Sequence, residues 1–138
     1  MNRPSEELIF DRTQGDVLNK TPKGKYEYTD LNRIEEWCEY LAILLTSYSY
    51  PVSISIKKDW TMTDLPNVND MERIRSNVDK IKIAFHAYTE IPENLDYMTI
   101  EKANSIEKIL VEIDTLISNM VYQFLYSGEI YAEEVNND

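Results

Sequence analysis

The chain has 138 residues, enough for one domain with its own core and too few for two. Hydrophobic residues at 43% and charged residues at 28% describe a globular rather than a disordered chain, and three Gly with five Pro favour long helices over a many-turned β sandwich. A formal net charge of −11 argues against direct nucleic-acid binding, because phosphate recognition needs a basic face.

Residues 1–25 read as a polar leader around one apolar knot, Leu8-Ile9-Phe10. The opening MNRPSEELIF lacks the apolar run of a signal peptide, and no stretch approaches about twenty apolar residues. The expectation is a cytoplasmic or particle-bound protein that does not pass a membrane. Thr13 and Asp16 have the spacing of a helix cap, and Thr21-Pro22-Lys23-Gly24 marks a boundary. The knot is expected as a flap over the domain that follows, 26–131, although a short strand is the other reading.

The first strong helix opens at TDLNRIEEWCEYLAILLTSY, with Thr29 or Asp30 placed to accept the unpaired amide hydrogens of the first turn. Leu31, Ile34, Cys38, Leu41, Leu45 and Tyr48 repeat at three and four, and Trp37, Tyr40 and Leu44 widen the stripe. Cys38 is the only cysteine, so no intrachain disulfide can form, and its place in the stripe makes it a small buried apolar residue. Pro51 ends the helix. Val52, Ile54 and Ile56 then alternate with Ser53, Ser55 and Lys57, predicting a short half-buried extended segment over 52–56. As a strand it would need the leader knot or a second copy to pair its backbone.

Residues 59–67 form a loop whose acids lack the spacing and central glycine of a calcium-binding loop. Trp60 in this loop is read as a plug for the end of a bundle, and also as a candidate contact residue. A second helix follows, with Asn69 and Glu72 at capping-box spacing and a narrow seam of Met71, Ile74, Val78, Ile81, Phe85 and Tyr88. Arg75 and Asp79 stand one turn apart as a flanking pair. His86, the only histidine, has no partner in the pattern that would make it catalytic.

Thr99 is expected to cap the last helix, which carries Ala103, Ile106, Leu110, Ile113, Ile117, Met120 and Phe124 on one row. Gly128 is the expected stop, with a disordered acidic tail over 132–138. Tyr122 and Tyr126 fall opposite the apolar row beside Lys108, Thr115 and Asn119; with Tyr131 and Trp60 they are the candidate interaction residues. Three helices of this rhythm, with two connections, predict a mainly all-α, antiparallel three-helix bundle. No catalytic, cofactor or metal constellation stands out. Glu35-Glu36 and Glu133-Glu134 read as solvated charge.

The runs LIFDRTQGDV, YEYTDLNRIEEWCEYL, KKDWTMTDLPNVNDMERIRSNV, ANSIEKILVEIDTLISNM and YSGEIY resemble a family encoded by phages and prophages of Gram-positive bacteria. Its members are described as minor structural or tail-associated proteins. The resemblance implies a non-enzymatic virion or assembly protein, found in the virion or the host cytoplasm. It would act through contacts with itself or other virion proteins, as a homo-oligomer or a tail component. The alternative expectation is an acidic regulatory inhibitor that imitates DNA or binds a basic host protein. That reading rests on the last forty residues, where Lys102 and Lys108 face eight acidic side chains.

Overall fold

The computed structural model describes the backbone of residues 2–136 and the side chains of residues 2–123. The described residues fold as four α-helices, α1 (Gln14–Leu18), α2 (Tyr28–Ser47), α3 (Val68–Phe85) and α4 (Ile100–Asn136), with a 3-10 turn at Pro22–Gly24. No strand occurs among the described residues. The bundle of three long helices is the all-α architecture that the apolar periodicity predicts.

Each helix starts where a side chain satisfies an otherwise orphaned amide. Thr13 and Asp16 bond reciprocally at the head of α1, and Thr99 accepts from Lys102 at the head of α4. Two caps differ from expectation. On α2 the cap is Glu27, whose N–H donates to Asp30 at 2.7 Å, so Thr29 and Asp30 already belong to the first turn. On α3 the capping box is Asn67 with Asp70, not Asn69 with Glu72. Both pairs have the same spacing, but Asn67 follows Pro66 with extended backbone, whereas Asn69 already lies inside the helix. Gly24 is dictated by a close approach: a Cβ there would stand 2.2 Å from the Asp16 carbonyl oxygen, where the 3-10 turn presses on α1.

The predicted apolar rows meet in one core. Ile34, Leu41 and Leu45 from α2, Ile74, Val78 and Ile81 from α3, and Ile106, Leu110 and Ile113 from α4 are all excluded from solvent. Each such side chain contributes about 1.5–3 kcal/mol by leaving water. Cys38 is buried among them. Tyr48 and Tyr88, assigned to the rows by periodicity, are exposed because α2 and α3 end at Ser47 and Phe85.

The order of the helices in the bundle corrects the antiparallel expectation. Leu31 near the start of α2, Met71 near the start of α3 and Met98 just before α4 border one groove. At the far end the Tyr50 and Phe85 rings, just past α2 and at the close of α3, stack edge-on at 5.1 Å. Arg33 of α2 meets Glu107 of α4, each in the second turn of its helix. The three helices therefore run parallel, with their N-termini at one end. Chain length permits it. The 20 residues of α2 span about 30 Å, whereas the return connection 48–67 can reach about 66 Å when extended. Parallel helices add their dipoles, and Asp30, Asp70 and Glu101 stand in the three first turns, where negative charge offsets that alignment.

The segment 52–56 is part of this return path and is not a strand. Its inward Val52, Ile54 and Ile56 alternate with exposed Ser53 and Ser55, as read from the sequence. Side chains of α3 replace the missing partner strand: Arg73 and Asn77 both donate to the Ser55 carbonyl at 2.7 Å, and Lys80 donates to that of Ser53. The leader lies over α2 and α4 as the expected flap. Trp37 donates to the Glu6 carbonyl, the Ile9 N–H donates to Glu107, and Arg3 pairs with Asp114 at 2.7 Å. Finally, α4 passes through Gly128 to Asn136, correcting both the predicted stop and the disorder expected from 132 on. A glycine inside a helix costs only about 1 kcal/mol, too little to end a long one.

Candidate functional site

Two buried ion clusters hold the N-terminal half of the bundle. In the first, Glu107 of α4 receives Arg12 of the leader at 2.5 Å and Arg33 of α2 at 2.7 Å, while Arg33 also reaches Asp30 at 2.6 Å. Two cations and two anions make the cluster neutral, the condition under which buried charge is tolerated. Burial acts against the charge on Arg33, but the bonds from Glu107 and Asp30 outweigh it and push its pKa up. In the second cluster, Glu35 of α2 takes Arg73 of α3, the indole N–H of Trp60 and the Lys57 N–H. It therefore welds α2, α3 and the return segment together.

The buried places of Glu35 and Glu107 differ from the solvated charge expected of Glu35-Glu36. Glu35 is 1% exposed, so it is not solvated charge. The signal was present: Glu35 is one turn from Leu31 and from Cys38, and Glu107 is one turn from Ala103 and Leu110. An acid on the apolar face of a helix requires a buried cation. Burial pushes the Cys38 thiol well above its usual range, with the Glu35 carboxylate adding to the effect. Tyr26 and Arg12 stack at 5.6 Å, and the Tyr26 hydroxyl has no hydrogen-bond partner among the described residues.

Around this rigid frame the N-terminal ends of the three helices leave a groove of about 720 Å³. Tyr26, Tyr28 and Leu31 come from the start of α2, Met62, Leu65 and Pro66 from the return loop, and Met71, Leu95 and Met98 from α3 and the last connection. A shallower trough of about 360 Å³ continues past Pro66 and Met71 to Val68 and Tyr97. Large apolar side chains stand in solvent here: Met62, Leu65, Val68 and Tyr97 are 67–95% exposed. These exposed apolar side chains are clustered, whereas Ile83 stands singly and needs no explanation. Asn32 clamps the loop, pairing with both the N–H and the carbonyl of Trp60 at 2.9 Å, so one wall of the groove is held in place.

The predicted contact residues fall elsewhere. Trp60 is 5% exposed and belongs to the core behind the groove, which corrects its assignment as a contact while fitting its role as a plug. Tyr122 is exposed on the outer side of α4 with Lys108, Thr115 and Asn119. Tyr126 and Tyr131 lie outside the described side chains. His86 is exposed and closes α3 in a left-handed conformation, φ 55°. Arg75 bonds the Pro92 carbonyl and pairs with Glu72 instead of Asp79, because the last connection returns along that flank.

Among the described residues, no group of His, Cys, Asp or Glu side chains could hold a metal ion, and no helix is long and apolar enough to cross a membrane. Compared with known protein families, curated proteins and solved structures, the chain has no match.

Proposed function

We propose that this protein is a non-enzymatic structural or assembly component of a phage particle, acting through protein–protein contacts at the groove where its helices begin. The observation that carries the contact reading is the apolar side chains held exposed there, with Leu65 at 90% and Tyr97 at 95%. The resemblance of the DLNR-to-EYL and ANSIEKIL blocks to phage minor structural proteins supplies the biological setting. Charge-balanced guanidinium–carboxylate clusters beneath the groove suit a scaffold, since each charged group is already occupied by its partner.

The test is association with particles. Particles released from a lysogenic host are expected to contain the chain, and Leu65→Asp with Tyr97→Asp is expected to remove it from them. A chain that stays in the soluble lysate and is absent from particles and assembly intermediates overturns the proposal. The alternative, an acidic inhibitor of a DNA-binding protein, draws on the net charge of −11. It is weakened by the inward use of Asp30, Glu35, Glu107 and Asp114, each paired with an arginine and withdrawn from the surface.

A further inference from the structure

We infer that the groove receives a basic segment of a protein partner, one that lays an aliphatic or aromatic anchor on its floor and presents Lys or Arg to its rim. The inference rests on the contact reading above and specifies the chemistry of the occupant. Glu27 and Asp64 line the main groove and Asp96 lines its continuation, and neither lining contains Lys, Arg or His. The floor combines the rings of Tyr26 and Tyr28 with Met62, Met71 and Met98. Methionines adapt to apolar shapes of different outline, and tyrosine faces attract guanidinium and ammonium groups. Arg and Lys match such a surface with both ends, since the stem is apolar and the head is charged.

A second copy of this chain is a poor occupant. Every copy carries a net charge of −11, and two such grooves brought together would set carboxylates against carboxylates. The helix starts do not offer a competing anion site, because Asp30, Asp70 and Thr99 already accept from first-turn or cap amides. Lys102 also stands near the rim, but its amine is tied to Asn94 and to the Asp96 carbonyl.

The experiment selects short random displayed peptides against the immobilised full chain, with Leu65→Asp as the counter-selecting surface. Enriched peptides are expected to share an apolar anchor with neighbouring Lys or Arg. Their binding should fall with rising salt and weaken about tenfold in a Glu27→Gln/Asp64→Asn/Asp96→Asn variant. Enriched peptides with an anchor but no basic bias, indifferent to that variant, overturn the inference and leave the contact reading standing. Enrichment that Leu65→Asp does not remove overturns both. A concentration-dependent dimer in light scattering, abolished by Leu65→Asp, makes a second copy the occupant and also overturns the inference. Circular dichroism of each variant confirms that the helices are retained.

Discussion

Glu107→Gln is the sharpest probe of how the bundle is held. In the folded protein Glu107 is fully buried and bonds Arg12 and Arg33, which are 6% and 5% exposed. The substitution preserves shape but turns one carboxylate oxygen into an NH2 that faces a guanidinium donor. Asp30 is then the one buried carboxylate left to two buried cations, with the exposed Glu6 3.9 Å from Arg33, and the buried part of the cluster carries a net positive charge. Breaking a buried pair in this way is expected to cost about 3–5 kcal/mol. That is a large part of the ~5–15 kcal/mol that keeps a typical domain folded. At this chain length the loss corresponds to a fall in Tm of roughly 10–20 °C. Urea unfolding followed by the fluorescence of Trp37 and Trp60 measures it, with exposed Glu101→Gln on the same helix expected to stay within about 0.5 kcal/mol. Adding Arg12→Met should recover part of the loss, because Asp30 then balances the one remaining arginine. The expected coupling is at least about 1 kcal/mol. A cost below about 1 kcal/mol for Glu107→Gln, or strict additivity with Arg12→Met, refutes the neutral-cluster reasoning.

Three further outcomes are expected. Asn67→Ala should lower stability by about 1 kcal/mol through loss of the α3 cap, while Asn69→Ala changes little; equal effects in chemical denaturation would return the cap to Asn69. Tyr26→Phe removes a buried hydroxyl that has no partner among the described residues, so it should be neutral or stabilising by up to about 1 kcal/mol. A clear loss of Tm would show that the hydroxyl makes a bond. Burial raises the pKa of the Cys38 thiol, so the thiol stays protonated and unreactive through mildly alkaline pH. A thiol reagent should label it only as denaturant unfolds the chain, and fast labelling of the native protein would contradict its buried position.

The sequence by itself determined the helices and their inner faces, because a 3.6-residue period carries the burial pattern in one dimension. It also located the Thr13 and Thr99 caps and the leader as a flap. Whether the helices run parallel was not in that pattern, since an apolar stripe faces its neighbour equally well in either direction. The connections 48–67 and 86–99 are long enough to return along the bundle, and only packing shows that they do. Packing also decided the fate of the 52–56 segment, whose alternation is real but whose carbonyls found Arg73, Asn77 and Lys80 instead of a strand. The groove at the helix starts was the least legible feature. Its side chains come from three helix starts and two loops, and each alone reads as an ordinary loop or terminal residue. Only the parallel order, which brings Leu31, Met71 and Met98 to one end, assembles them into a groove.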